Sequence, residues 1–210
     1  MRILIGNQKG GVGKSTLSIL FCNYMSKIEK EKIVAIDLDF QQSFFHQWET
    51  ENEIMEGDPL YKVIQCELTD ANKLLPNIKD DTEYQYLIDS PGNLDKPAIL
   101  EVLSSVDVVI VPFAYEKKTF ESTLVYAQVA KHVNPKLPLL FLPNRVKKNA
   151  KAIIKEKVDE ALREYGDISP FIIYDRVDMD RTSTRGLSHI QKQMFGDFFE
   201  YFKNNYIVII

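Results

Sequence analysis

The sequence predicts a single doubly wound α/β domain, a mostly parallel sheet with helices on both faces, and three observations predict it. Short Val/Ile/Leu runs alternate along the chain with longer segments of helical periodicity. The apolar runs are nearly continuous, the pattern of strands buried on both faces of a parallel sheet. The first of them opens directly into a glycine-rich loop followed by an amphipathic segment. With 210 residues, 45 % of them hydrophobic and 27 % charged, the chain is sized for one domain with a real core. No internal repeat, low-complexity tract or linker divides residues 1–210.

Taken in order, the strand segments are Arg2–Gly6, Ile33–Asp37, Tyr61–Gln65, Tyr86–Asp89, Val106–Pro112, Leu139–Pro143 and Phe171–Ile173. Each is short, and most are nearly continuous Val, Ile and Leu. Helices are expected over Ser15–Lys27, Ser43–Glu53, Asp70–Ile78, Lys96–Ser104, Phe120–His132, Asn149–Glu164 and Thr184–Asn204. In the sixth, Ile153, Ile154, Val158, Ala161 and Leu162 recur at helical spacing while Lys151, Lys155 and Asp159 line another face. In the last, Leu187, Ile190, Met194, Phe198 and Phe202 fall three or four apart.

Several classes are excluded at this level. The two cysteines, Cys22 and Cys66, form neither a disulfide framework nor a CxxC pair, as expected in a reducing cytosol. Met1-Arg2 leads into only three apolar residues, too few for the core of a signal peptide. No run approaches the roughly 18 apolar residues of a transmembrane helix. The three histidines, His46, His132 and His189, lie far apart and read as surface or capping residues.

Charge is unevenly placed. The net −4 divides into −8 over residues 1–130 and +4 over residues 131–210. Residues 131–157 hold eight basic side chains and one acid, Glu156, whereas residues 41–70 hold seven acids and one base, Lys62. This asymmetry points to a polyanion-facing surface on an otherwise acidic molecule, with a merely solvated face as the plainer reading.

The chemistry concentrates after the first strand, in Asn7-Gln8-Lys9-Gly10-Gly11-Val12-Gly13-Lys14-Ser15-Thr16. Strand, glycine loop and helix form the context of a P-loop: glycines let backbone N–H groups turn toward phosphate oxygens, and the helix N-terminus adds its positive end. Lys14 is placed to reach β- and γ-phosphates and the Ser15 hydroxyl to ligate Mg²⁺. The strict GxxxxGK[ST] pattern fails, because Gln8 stands where its first glycine belongs. Asp37-Leu38-Asp39 closes the second strand and Asp89-Ser90-Pro91-Gly92 follows the fourth. Acids at the carboxyl ends of strands border the crevice where open α/β sheets bind ligands, and hard Mg²⁺ prefers such oxygens. Each acid alone reads equally as a turn residue; beside the glycine loop, the functional reading takes over.

Together these segments resemble the deviant Walker A ATPases of the ParA/MinD family. The resemblance rests on Lys9–Thr16 (KGGVGKST), on Asp37–Ser43 (DLDFQQS, like the family's DxDPQxS), on Asp89–Gly92 (DSPG) and on Leu142-Pro143-Asn144-Arg145, similar to the family's base-binding segment. It covers nearly the whole chain and is nearest to small plasmid-type ParA proteins. It implies a catalytic set of Lys9, Lys14 and Asp39. Lys9 reaches across an ATP-bound homodimer to the partner's phosphates, and Asp39 positions the attacking water. The nucleotide lies on Gly10, Gly11, Val12, Gly13, Lys14, Ser15 and Thr16, with Asn144 at the adenine edge and Arg145 beside it. Ser15, Asp37 and Asp89 hold Mg²⁺, the two acids through waters. Phe40 departs from the family's proline. No helix-turn-helix segment precedes the P-loop, so operator binding by such a module is not expected.

The function implied is a cytoplasmic, nucleoid-associated partition ATPase whose ATP dimer binds DNA nonspecifically and is released when a ParB-like partner stimulates hydrolysis. Lys147, Lys148, Lys151, Arg181 and Arg185 are the candidate DNA contacts. The alternative of another class is a MinD-like membrane-surface positioning ATPase; a third is an ATP-dependent amidoligase, for which no second constellation is seen. A membrane helix should be basic on its polar face, whereas the C-terminal one carries Asp197 and Glu200 against Lys203. It is therefore expected to dock on the protein's own sheet, with Ile207–Ile210 either exposed or forming a last edge strand. Neither cysteine sits where the superfamily's iron proteins hold a cluster.

Overall fold

The computed structural model describes residues 1–39, 41, 43–92, 97–147 and 152–207, the side chains of 152 and 153 excepted. Seven parallel strands form one sheet: β1 (Arg2–Ile5), β2 (Ile33–Asp37), β3 (Lys62–Gln65), β4 (Gln85–Asp89), β5 (Val108–Phe113), β6 (Leu139–Pro143) and β7 (Asp167–Ile168), in the spatial order β3-β2-β4-β1-β5-β6-β7. Between them run α1 (Lys14–Tyr24), α2 (Ser43–Ile54), α3 (Leu68–Asn77), α4 (Ala98–Ser105), α5 (Lys117–Val133), α6 (Ala152–Arg163), α7 (Val177–Asp180) and α8 (His189–Phe202). A π-helical turn, Met25–Glu29, extends α1, and another, Lys203–Ile207, extends α8.

The alternation of each strand builds two cores. Ile3 and Ile5 face the layer of α1, α2 and α8, where they join Leu17, Phe21, Phe44 and Phe199. Leu4 faces the other layer with Ile36, Ile88 and Val109, packed on Leu75 of α3, Val102 of α4, Tyr126 of α5 and Leu162 of α6. Because all strands run the same way, the carboxyl ends of β1, β2 and β4 open on one edge. Ile5 pairs with Asp89, and Asp89 with Asp37.

The C-terminal helix docks on α1. Phe199 stacks on Tyr24 with ring centroids 4.3 Å apart and lies 5.1 Å from Phe21. Phe202 stacks on Tyr206 at 5.3 Å, the Tyr206 hydroxyl donates to Asp167 Oδ2 at 2.8 Å, and Lys203 pairs with Glu29. The apolar stripe of α8 is thus used inside the molecule. Residues 208–210 of the Ile207–Ile210 run lie outside the described residues.

Two expected elements differ. Phe171–Ile173 is not a strand: β7 is the earlier pair Asp167–Ile168, and just past the expected segment Tyr174 forms an isolated bridge with Val146. Pro170 lacks an N–H for a ladder, and the Ser169 hydroxyl accepts from Phe171 N at 3.1 Å, turning the chain there. The last helix starts at His189 rather than Thr184. Ser188 Oγ accepts from Gln191 N and Gln191 Oε1 from Ser188 N, a capping box that fixes the start. The other helices shift by a few residues; α5 begins at Lys117, three residues ahead of Phe120, and residues 96 and 149–151 lie outside the described residues.

Phe199→Ala should therefore cost about 3–5 kcal/mol by opening a cavity under α8. Ile54→Ala, at a side chain 77 % exposed, should stay within about 0.5 kcal/mol. Urea unfolding of the two variants checks both; equal midpoints would mean that α8 is not part of the cooperative core.

Candidate nucleotide site

Between β1 and α1 the chain turns through Gly6–Gly13. Gly13 caps α1 at φ 87° and Gly11 lies at φ 77°, both left-handed. A Cβ on Gly13 would meet Asn144 Nδ2 at 2.6 Å, so glycine is required there twice over. Side chains pin the loop at both ends. Asn7 Nδ2 donates to Pro112 O at 2.8 Å and to Thr123 Oγ1 at 2.9 Å, while its Oδ1 accepts from Lys9 N at 3.1 Å. Asn144 Nδ2 donates to Val12 O at 2.7 Å and Arg145 Nη1 to Gly11 O at 3.3 Å. The unpaired N–H groups of the first turn of α1 then face the crevice, a geometry suited to phosphate.

Two carboxylates and a lysine form the centre. Asp37 and Asp89, each 1 % exposed, end neighbouring strands in register. Asp37 is held by backbone donors: Oδ1 accepts from Asp39 N and Oδ2 from Phe45 N, both at 3.0 Å. Burial raises its pKa, against the pull of those N–H groups. Asp89 Oδ1 accepts from Ser18 Oγ at 3.0 Å, but Oδ2 has no hydrogen bond of normal geometry among the described residues. Burial, reinforced by Asp37, pushes the Asp89 carboxyl up to about 7, while the nearby Ser15 and Ser18 hydroxyls and Lys14 pull it down. Lys14, 7 % exposed, sends Nζ to Lys9 O at 3.4 Å. Burial lowers its pKa, and Asp89 and Asp39 oppose that.

An orphaned carboxylate oxygen beside the Ser15 hydroxyl is the donor set of a hard cation. The residues fit Mg²⁺: Ser15 and Asp89 would hold it, and Asp37, whose oxygens already serve backbone N–H groups, would act through waters. Asp39 stands outside this centre. Its Oδ1 accepts from Gln41 N at 3.1 Å, and it lines a cavity of about 670 Å³ with Leu38, Cys66, Glu67 and Pro91.

The two lysines of the loop diverge. Lys14 points inward, whereas Lys9 is half-exposed and lines a shallow hollow of about 250 Å³ with Arg145, Lys147 and Glu116. Thr16, Gly13, Asn144 and Arg145 border a narrow crevice closed by Tyr174, Asp175, Met179 and Asp180. Arg145, at φ 54°, lies 3.6 Å from Asp175 and 3.7 Å from Asp180. Gly10 and Gly11 are exposed and Val12 is buried, so the stretch between the two lysines presents backbone outward.

The candidate DNA contacts separate. Lys147 is exposed, 3.5 Å from Glu116, and Arg181 is exposed. Lys148 and Lys151 lie outside the described residues. Arg185 has partners within the chain: its guanidinium donates to Asn52 Oδ1 at 2.7 Å, Glu56 O at 2.8 Å and Gly57 O at 2.7 Å. Those bonds tie it to the acidic stretch at the end of α2, where a DNA backbone would be repelled.

Sequence reasoning missed Ser18 and Glu51, and it quoted Asn7, Asp175 and Asp180 within their segments without giving them roles of their own. Glu51 Oε2 accepts from Thr184 N, Thr184 Oγ1 and Ser183 Oγ at 2.6, 2.8 and 2.9 Å. Burial alone would raise its carboxyl, but these donors and Gln47 hold it below the ordinary range. Ser18, one turn after Ser15, carried a weak signal in its spacing; the others act through partners distant in sequence.

A family model described as the CobQ/CobB/MinD/ParA nucleotide binding domain matches residues 3–190. Among curated relatives, the chain is 26 % identical over 192 residues to the chromosome-partitioning ATPase Soj of Thermus thermophilus, covering 78 % of this chain and 76 % of that one. Among solved structures, a Borrelia burgdorferi B31 protein assigned to plasmid partition and bound to AMPPNP superposes with TM-score 0.74 at 23 % identity, over 100 % of this chain and 99 % of that one. The MinD cell division protein of Aquifex aeolicus gives TM-score 0.74 at 18 % identity, over 97 % of each chain. At these identities the solved structures share the fold.

The raised Asp89 pKa has a sign that can be measured. In the unfolded chain the carboxyl ionises near its ordinary value of 3.8, in the fold at about 7. Between the two, the folded chain keeps a proton the unfolded chain has released, so stability is lost as pH rises through this window. Asp89→Asn should remove that slope. It should be more stable than wild type by about 2–4 kcal/mol at pH 8, with the gain fading toward pH 4. Urea unfolding across that range checks it; a gain independent of pH would show that Asp89 is charged throughout.

Proposed function

Because the chain belongs to the CobQ/CobB/MinD/ParA nucleotide-binding family, we propose that it is a partition ATPase of the ParA kind, a Mg²⁺-dependent switch that dimerises on ATP and then binds DNA without sequence preference. A ParB-like partner releases it by stimulating hydrolysis. The observation that carries this reading is the divergence of Lys9 and Lys14. One lysine is already buried at the chain's own phosphate site. The other faces outward on the same loop, beside Arg145 and Lys147. A charge in that position serves a second molecule's nucleotide across a two-fold axis.

In this reading Lys14 and the N–H groups of the loop neutralise the β- and γ-phosphates, and their desolvated setting strengthens the attraction. Ser15 and Asp89, with Asp37 acting through waters, would hold Mg²⁺, which when bound would supply further charge neutralisation on the phosphates. Asp39, free of the centre and beside Pro91, orients the water. Its backbone is tied to Asp37, so its position follows that of the buried carboxylates. Asn144 and Arg145 border the base.

DNA is favoured over a membrane by two features. Residues 131–157 carry a net charge of +7, and Lys147 is exposed among them. The aromatic stripe of α8, the segment a membrane would need, is engaged with α1. Each monomer offers few phosphate contacts, so pairing two on one duplex is what makes binding measurable. Work on the nucleoid, in the cytoplasm, follows from that ligand. The printed name of the Thermus relative, a chromosome-partitioning ATPase, is in keeping with it.

Lys14→Ala should abolish ATP binding and Asp39→Ala should bind ATP without turning it over. Lys9→Ala should bind ATP yet remain monomeric by light scattering. Wild type with ATP, but not ADP, should sediment with nonspecific DNA, and affinity should fall by orders of magnitude between about 50 and 200 mM salt. Sedimentation instead with anionic liposomes would replace the partition reading by the membrane one.

A further inference from the structure

Two buried hydroxyls near the nucleotide site have no role in the account above. Tyr126, in the middle of α5, is 1 % exposed, and its hydroxyl has no hydrogen-bond partner among the described residues. A phenylalanine would fill the same space without stranding a polar group. The hydroxyl lies over Gly6, the first residue after β1. A Cβ there would stand 2.0 Å from Tyr126 Oη and 3.3 Å from Ser90 Oγ, so Gly6 is glycine because the phenol crosses it, and both hydroxyls share one small space. Ser90, also 1 % exposed, donates among the described residues only to the carbonyl of its neighbour Pro91, at 3.4 Å, the limit of a useful bond.

The loop that carries Ser90 begins at Asp89 and ends at Gly92. A Cβ on Gly92 would lie 3.4 Å from Lys14 Nζ and 3.6 Å from the backbone of Gly10. The loop therefore joins the orphaned carboxylate to the phosphate lysine, with Ser90 between them. Tyr126 is a fixed post beside it, because α5 is tied to the glycine loop one turn earlier by the bond from Asn7 to Thr123. We propose that Tyr126 is a positioning residue, whose hydroxyl accepts a hydrogen bond from Ser90 when the Asp89–Gly92 loop orders around the γ-phosphate. Rotation about the Ser90 side chain exchanges the long bond to Pro91 for one to Tyr126. The loop then has two discrete arrangements, and nucleotide selects between them. The inference rests on the ATPase reading.

Steady-state ATP hydrolysis by the full chain tests it, with Tyr126→Phe, Ser90→Ala and the double variant. Tyr126→Phe should keep or raise the unfolding temperature and leave KM within about twofold, while kcat falls about five- to tenfold, the worth of one hydrogen bond made late. Ser90→Ala should fall equally and the double variant no further, because both remove the same bond. A merely structural phenol predicts the opposite pairing, altered stability with unchanged kcat. Unchanged kcat in Tyr126→Phe, or independent effects in the double variant, overturns the proposal. Should Tyr126→Phe fold poorly, Ser90→Ala decides alone, and a loss under twofold overturns it. A wild-type chain that does not hydrolyse ATP overturns the ATPase reading and the latch with it. An active wild type beside an equally active Tyr126→Phe overturns only the latch.

Discussion

The structure depends on keeping two carboxylates side by side out of water. The parallel register of β2 and β4 sets Asp37 opposite Asp89, both nearly inaccessible. Like charges in such a setting repel strongly, and neither has an arginine beside it to compensate. Asp37 is made tolerable by backbone N–H groups from Asp39 and Phe45. Asp89 has the Ser15 and Ser18 hydroxyls and a partly desolvated Lys14, and burial still pushes its carboxyl up to about 7. A fold that buries such a pair at the end of its central strands is preorganised for a cation, and the glycine loop beside it for an anion.

This centre is linked to the far side of the molecule through α2. The helix begins with Phe45 N on the Asp37 carboxylate and ends in a dense polar brace. Gln47 donates to Thr182 O, Glu51 collects three donors from Ser183 and Thr184, and Arg185 returns three bonds to residues 52–57. Asn23 of α1 donates to Ser183 O and Gly186 O, fastening the same segment from below. Upstream, Asp175 and Asp180 face Arg145 at the crevice. The Arg145 crevice and the Asp37–Asp89 centre are therefore parts of one braced body, so a shift at either is transmitted through packed and hydrogen-bonded elements.

Much of this was legible in the sequence, for physical reasons that can be named. Strands buried on both faces have no solvent side to interrupt them, so Ile33–Asp37 and Leu139–Pro143 stand out as apolar runs with their bounds intact. The glycine loop is legible because only glycine supplies φ 77° and 87° at Gly11 and Gly13 without strain. The pairing of the C-terminal segment was less plain. Phe171–Ile173 has strand composition, yet Pro170 and a local serine turn keep it out of the ladder. Arg185 looked like a surface cation because its partners, Asn52, Glu56 and Gly57, are distant along the chain. Tyr126 was invisible for the same reason, and Ser18 nearly so: one meets Gly6 and the other Asp89, contacts that topology makes and composition does not encode.

The two lysines show how one short loop can give nucleotide two separate effects. Lys14 is buried against a carbonyl and two acids, and burial lowers its pKa, so its charge is poorly solvated before any ligand arrives. An anion that reaches it relieves this desolvation, and binding of that kind stabilises the fold in proportion to ligand occupancy. Lys9 is less desolvated, half-exposed in the shallow hollow it shares with Arg145 and Lys147. On the proposed reading its charge becomes useful when a second anionic surface closes over it. Occupancy of the inner site and closure of the outer one are thus chemically distinct events on a backbone that Asn7 and Asn144 hold rigid. A ligand that extends past Lys14 toward the outer face links the two, whereas a shorter one ends inside.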